Sequence, residues 1–413
     1  MQRIFIFFRS EIVYYRERVA ENARRLIVSN ILRTFANPLM GIFLNAFVWR
    51  ATGSLLALSE FNAAQFACLP IAFYVNGLLL KKVHIKKTFA LGALLAGFSS
   101  LALVFFGGRS PGLIPVLGGI WGFGNGMYWG NRNYLELKET AIEWRAYFYG
   151  ILNSLSSLAN ILMPILAGWF IVFGHYSHLY TAEHAYWILM GSVCVLFIMC
   201  AHIIWNGGYG TIIPERISRL SVRPIFNHRR KLQMAAGLLD GTAYLPALLI
   251  LRFAGNEGIL GNISAAAALC TMIALYIYGR RANKTSGRRS LRGSALLYLA
   301  STLALLLIPG TAASVIVYVV LLGVAESFSG VATSPIFLNL IDKENAGETG
   351  AGYSFIFDSE LFLNIGRLIG IGIIVIFAAF ISETVGLFVA PVIIALLHVG
   401  IVSRFLQRSG YVE

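Results

Sequence analysis

Charged residues are scarce in this 413-residue sequence, at 13% of the chain against 57% for hydrophobic residues. The mean hydropathy of +0.72 is too high for a water-soluble protein. The apolar runs reach the length of about 20 residues that a helix needs to cross a bilayer. None of them alternates with the period of two that marks a membrane-spanning strand. The sequence therefore predicts an all-α polytopic membrane protein, with twelve transmembrane helices between residues 27 and 405.

Cysteine is also rare. The four cysteines fall inside predicted spans without CxxC pairs or histidines at ligand spacing, which indicates packing roles rather than a disulfide or zinc site. The sequence also lacks a P-loop and an HExxH motif. These absences argue against an ATPase or a hydrolase. We therefore predict no enzyme activity, no cofactor and no metal.

Acidic residues are outnumbered 19 to 33 by lysine and arginine, which gives a net charge of +14. Of those 33 basic residues, 27 lie in the N-terminal segment, the C-terminal tail and the five loops that alternate with them, while Arg50, Arg109 and Arg252 lie on the opposite side. With an even number of spans, this distribution predicts that both termini lie in the cytoplasm. We interpret the basic loops as topology signals that also contact membrane lipid, and not as a nucleic-acid surface.

The chain is expected to divide into four parts. Residues 1–26 mix aromatic residues with arginine and are interrupted by Arg9 and Glu11, which favours a cytoplasmic interfacial helix over a signal peptide. Six spans follow in residues 27–206. A basic cytoplasmic linker covers residues 207–232, and six further spans occupy residues 233–413.

The two sets of spans repeat at an offset of 202 residues, where Gly77 corresponds to Gly279 and Lys82 to Lys284. A looser match aligns Asn153-Ser154 with Asp358-Ser359. With these loops and this repeat the sequence resembles the major facilitator superfamily, whose halves are parallel repeats about an axis along the membrane normal. The resemblance implies two six-helix bundles around a central cavity bordered by helices 1, 4, 7 and 10, and transport by alternating access as a monomer.

The fourth predicted span carries two stripes. Glycine recurs every fourth residue at positions 118, 122, 126 and 130, a pattern that lets two membrane helices pack closely. A separate face carries Trp121, Asn125, Tyr128 and Arg132. We expect this second stripe to line the cavity and to bind substrate. The alternative is that its aromatic rings pack and Arg132 snorkels to the membrane surface.

Other polar residues at membrane depth complete the candidate site. Substrate contacts from the facing helices are assigned to Arg33, Asn37, Asp240 and Tyr244, and an Arg33–Asp240 pair across the halves is one prediction. The near-matching prolines Pro38 and Pro246 predict matched bends in the first and seventh spans.

Glu326 is the predicted proton-coupling residue, because a carboxyl near the middle of a span suits a group that binds and releases a proton. An ion pair with Arg367 or Arg33 is the alternative. Asp358, Glu360 and Arg367 are assigned to gating or structural ion pairs, and Glu360 and Arg367 share one face of their helix.

These observations predict a secondary active transporter that moves a small organic solute by proton-coupled alternating access. The three buried arginines, Arg33, Arg132 and Arg367, favour an anionic or amphipathic solute. Two alternatives stay open: a proton-driven exporter of drug-like compounds, and a non-transporting sensor or assembly factor with the same fold.

Overall fold

The computed structural model describes residues 19–140, 145–211, 213–220, 227–281, 286–344 and 352–408. Residues 1–18, and with them most of the predicted interfacial helix, lie outside these ranges. Twelve long helices cover most of the described residues: α1 (Glu21–Thr52), α2 (Leu55–Leu79), α3 (Ile85–Phe106), α4 (Ile114–Glu139), α5 (Arg145–Ser177), α6 (Ala182–Trp205), α7 (His228–Phe253), α8 (Glu257–Arg281), α9 (Ser286–Leu307), α10 (Ala312–Glu344), α11 (Gly352–Phe380) and α12 (Glu383–Phe388, continued by Ala390–Arg408).

Eleven of these helices are long and apolar enough to cross a membrane. The remaining one is α4, whose glycines and polar stripe lower its hydropathy although its 26 residues span about 39 Å. The predicted all-α architecture of twelve helices is thus confirmed.

The helix boundaries repeat between the two halves, α1–α6 and α7–α12. α8 begins at Glu257, 202 residues after the start of α2 at Leu55, which is the offset of the sequence repeat. The predicted linker, 207–232, extends too far, because α7 begins at His228. The Asn227 side chain caps this helix by accepting a hydrogen bond from the Arg230 backbone N–H at 2.9 Å.

The glycine stripe of α4 contacts the backbone of α2. A methyl group added to Gly122 would overlap the Gln65 carbonyl, and one added to Gly126 would overlap the Leu69 carbonyl. Only hydrogen atoms at these positions allow the two helices to approach so closely. The predicted packing role of the stripe is confirmed.

The first helix of each half is irregular at a near-equivalent point. In α1, Pro38 is followed by a π-helical segment, Leu39–Leu44. In α7, a turn at residues 241–244 separates two helical parts and is followed by Pro246. Proline lacks the N–H that would continue the helical hydrogen bonds, and in a membrane the freed groups must be satisfied by local adjustment. The predicted matched bends are present.

The α2–α4 contact predicts the effect of Gly122→Ala. The added methyl group would force the α2 and α4 backbones apart, and we expect a loss of about 1–3 kcal/mol in the free energy of unfolding. Thermal unfolding of the detergent-solubilised protein measures this loss. The control is Gly191→Ala in α6, where a methyl group would meet no atom within 4 Å. Equal melting temperatures for the two variants would contradict the packing argument.

Candidate functional site

Arg33 lies at the centre of a polar cluster inside the first half. Its Nε donates to Asn37 Oδ1 at 2.7 Å and its Nη2 donates to Asn125 Oδ1 at 2.6 Å. The guanidinium also lies over the rings of Tyr128 and Phe197, 4.7 Å from each centroid. No carboxylate lies within ion-pair distance of Arg33 in the described part of the chain. Neutral amides and aromatic faces therefore solvate this buried cation.

A second part of the cluster surrounds Glu136. This carboxylate accepts from Asn30 at 2.8 Å and from the Tyr149 hydroxyl at 3.1 Å, and its Oε1 lies 2.7 Å from Arg132 Nε. The Tyr128 hydroxyl donates to Asn30 at 3.4 Å. Three helices, α1, α4 and α5, are joined through these contacts. No role was predicted for Glu136 from the sequence.

The polar stripe of α4 occupies one helix face, as predicted, but it packs into the first half instead of lining an open cavity. Trp121 stacks on Phe61 with 5.7 Å between centroids. Asn125 is 2% exposed and Tyr128 is fully buried. In this structure neighbouring helices cover these three side chains. A substrate-binding role for the stripe stays a prediction.

The predicted Arg33–Asp240 pair is also absent among the described residues. Asp240 instead accepts from Arg367 Nη2 at 2.9 Å, which joins α7 to α11 within the second half. Arg367 Nη1 donates to Asn364 at 3.1 Å, and the guanidinium lies 4.7 Å from the centroid of Phe66 in α2. Arg367 therefore links the second half to the first through an aromatic ring.

Asp358 is fully buried between two arginines of the same half. Arg229 donates to its Oδ2, and Arg230 Nη2 donates to its Oδ1 at 2.6 Å. This pairing holds the first turn of α7 against α11. Glu360 is half-buried, and its backbone carbonyl accepts from the Asn364 side chain at 2.7 Å. A gating role for Asp358, Glu360 and Arg367 stays a prediction.

A cavity of about 580 Å³ lies between the two halves. Its walls come from α5 of the first half and α8 and α10 of the second, with Ile42 of α1 and Ala243 and Pro246 of α7. The first-half wall is polar and contains Asn153, Ser156, Ser157 and Asn160. These four residues of α5 therefore face the cavity. They were not among the residues predicted to form the site.

Glu326 is the one ionisable residue among the described residues that form the wall of this cavity. Its Oε1 is buried without a hydrogen-bond partner, and it forms no ion pair in the described part of the chain. The charged groups that interact with it electrostatically are Asp240 of α7 and Arg367 of α11. The alternative prediction of a permanent ion pair with Arg367 or Arg33 is wrong, because Arg367 pairs with Asp240 and Arg33 lies inside the first half.

A smaller cavity of about 240 Å³ adjoins the first one at Gly330, which borders both. Its wall includes Asp240, Ser329 and Thr333. Glu326 of α10 and Asp240 of α7 thus border neighbouring cavities. None of the three buried arginines on which the expectation of an anionic solute rested borders either cavity.

The halves contact each other on both sides of this cavity. On the side away from the basic loops, Arg50 of α1 forms an ion pair with Glu257 of α8 at 2.9 Å, and the Tyr186 hydroxyl donates to the same carboxylate at 3.4 Å. The Tyr244 and Ser59 hydroxyls, 2.8 Å apart, join α7 to α2. Tyr244 therefore lies in a contact between the halves, and it is fully buried there.

On the side of the basic loops, Tyr353 of α11 joins the second half to α2. Its hydroxyl donates to the Phe73 carbonyl at 2.6 Å and accepts from Asn76 at 3.1 Å. Asn76 in turn exchanges two hydrogen bonds of 3.0 Å with Asn131 of α4. A methyl group on Gly77 would meet the Tyr353 ring at 2.7 Å, so a glycine is needed beside this contact.

No protein-family profile matches this sequence. The uncharacterized protein YqgE of Bacillus subtilis (strain 168) is 24% identical over 367 residues, which cover 88% of this chain and 83% of that protein. The uncharacterized protein in the sodM 3′ region of Geobacillus stearothermophilus is 32% identical over 143 residues, which cover 35% of this chain and 67% of that protein.

Solved structures share the fold over almost the whole chain. A bacterial homologue of the human drug peptide transporters superposes with a TM-score of 0.68 at 13% identity, covering 94% of this chain and 96% of that one. A bacterial homologue of the iron transporter ferroportin gives 0.62 at 16% identity, with 94% and 100% covered. The fucose:proton symporter of E. coli gives 0.60 at 14% identity, with 93% and 97% covered. This chain therefore belongs to one family with the Geobacillus protein, and its fold is that of the major facilitator superfamily.

Proposed function

We propose that this protein is a secondary active transporter that moves a small organic solute across the bacterial inner membrane, with both termini in the cytoplasm. The observation that carries the proposal is Glu326, a carboxyl that borders the cavity between the two repeated halves and has no partner among the described residues. A buried ionisable group without a structural partner is costly in a membrane protein. Such a group is explained if it binds a proton or the solute during the transport cycle.

Alternating access requires that the contacts between the halves break in turn. The Arg50–Glu257 pair lies on one side of the cavity and the Tyr353 contacts lie on the other. Both sets join helices of different halves, so neither is needed for the integrity of a single bundle. In the proposed cycle, the solute enters from one side while the contacts on the other side hold the halves together.

The proton is the proposed coupling ion, and Glu326 is its carrier. A charged carboxylate favours contact with water or a cation, whereas a neutral carboxylic acid is accepted in the closed, apolar surroundings of α8 and α10. Protonation therefore changes which conformation is more stable. Charged neighbours act on the same equilibrium, namely Asp240 and Arg367, together with the hydroxyls of Tyr298 and Tyr318.

The names of the structural neighbours support a transport function but do not identify the solute of this protein. The ferroportin homologue is described as an iron transporter homologue. In this chain, the described residues contain no group of three or more His, Cys, Asp or Glu side chains that could hold a metal ion. The cavity described above favours an organic solute.

The first prediction concerns proton coupling and needs no known solute. Spin labels are placed across the halves, at Lys81 and Arg280 on the basic side and at Arg109 and Ile308 on the other, after replacement of the four native cysteines. All four positions are exposed. Double electron–electron resonance in nanodiscs at pH 5.5 and 8.5 should show the two distances changing in opposite directions. Glu326→Gln should hold the low-pH distribution at both pH values, because Gln resembles the protonated carboxyl.

The control for this experiment is Glu60→Gln, which changes an exposed carboxyl of α2. It should leave the pH response intact. A wild-type protein whose distances do not respond to pH, or a Glu326→Gln variant that responds as fully as wild type, would contradict proton coupling at this residue.

The second prediction concerns the Arg50–Glu257 contact. Glu257→Gln removes an ion pair of roughly 1 kcal/mol, so the population open on that side should increase about fivefold. The label pair at Arg109 and Ile308 measures this population. The matched control is Glu383→Gln, which breaks the Arg252–Glu383 pair on the same side but within the second half. The same increase in both variants would show that general destabilisation, and not the contact between halves, is responsible.

A further inference from the structure

The charge of the solute follows from the composition of the cavity wall. Among the described residues that line the larger cavity, all except Glu326 are neutral, and none is lysine, arginine or histidine. A bound anion would meet an unpaired carboxylate in surroundings of low dielectric constant, and the repulsion would be weakly screened. A bound cation would instead supply the partner that Glu326 Oε1 lacks.

The remaining surfaces of the cavity indicate what kind of cation fits. Hydroxyl and amide oxygens are available from Asn153, Ser156, Asn160, Ser264 and Thr271. The lining also includes the apolar side chains of Ala267 and Met272 in α8 and of Val319 and Leu322 in α10. No aromatic ring is found among the described lining residues, which therefore do not form the cation–π cage that suits a fully alkylated ammonium. An ammonium that still carries N–H groups can donate to the carboxylate and to these oxygens while its hydrocarbon part contacts the apolar wall.

A metal ion fits less well than an organic cation. Hard divalent cations take six or more oxygen ligands, with several carboxylates among them. The larger cavity supplies one carboxylate, and Asp240 in the adjoining cavity is already paired with Arg367. A volume of about 580 Å³ is also within the range of pockets that hold organic molecules of moderate size.

We infer that the solute is a protonated organic amine with an apolar body, bound through its ammonium group to Glu326. The inference rests on the proposed transport function and specifies its substrate class. Because a proton and the ammonium both bind the same carboxylate, they exclude each other. The site therefore exchanges one for the other, which favours antiport over symport.

Three compounds with one hydrocarbon cage test this inference: adamantylamine, adamantanol and adamantanecarboxylate. They differ only in a positive, neutral or negative head group. Thermal unfolding of the purified protein in detergent at pH 7.5 reports binding, because a ligand of the folded state raises the melting temperature. Adamantylamine should raise it more than the other two compounds do. The apparent affinity for the amine should fall at least tenfold in Glu326→Gln and should be retained within a few-fold in Glu326→Asp.

Glu60→Gln again serves as the control and should bind the amine as wild type does. Folding of each variant is checked by its melting temperature without ligand. A response to the carboxylate or the alcohol that equals the response to the amine overturns the inference, as does the absence of any response up to the solubility limit. Neither result affects the pH-dependent distances of the spin-labelled protein, so failure of the substrate class is distinguishable from failure of the transport function.

Discussion

The scarcity of water inside a bilayer determines how the polar residues of this protein are arranged. Each buried polar group must find a partner within the protein, because the lipid offers none. Arg33 meets this requirement with amides and aromatic faces, and Asp358 meets it with two arginines. Glu326 differs from these two residues, because it borders a cavity and has no partner among the described residues.

The fold was predictable because its signals are local and periodic. Apolar runs determined the number of helices, and the repeat offset anticipated the spacing of α2 and α8. The glycine stripe of α4 anticipated close packing, because spacing of four residues places all its members on one face. The stripe alone does not show which helix packs against this face. That this helix is α2 depends on how the helices are arranged in the fold.

The site was less predictable, since it depends on which helices cover which faces. The sequence places Arg33 and Asp240 at comparable depth in equivalent helices, but their partners lie on α4 and α11 respectively. The roles of residues near the ends of spans were not predictable from the sequence either. Glu136 and Glu257 carry the kind of charge that ordinarily lies at a membrane surface, and only the three-dimensional structure shows that one joins α1, α4 and α5 while the other joins the two halves.

The irregular segments of α1 and α7 have a mechanical consequence. A straight helix transmits a rotation at one end to the other, so a solute path lined by straight helices opens only if whole bundles tilt. The π-helical segment after Pro38 and the turn before Pro246 each interrupt the regular ladder of backbone hydrogen bonds beside the cavity, where Ile42, Ala243 and Pro246 form part of its wall. These two points divide each helix into segments that can pivot independently. The half of α1 that carries Arg50 can swing while the half that carries Arg33 stays anchored in its polar cluster.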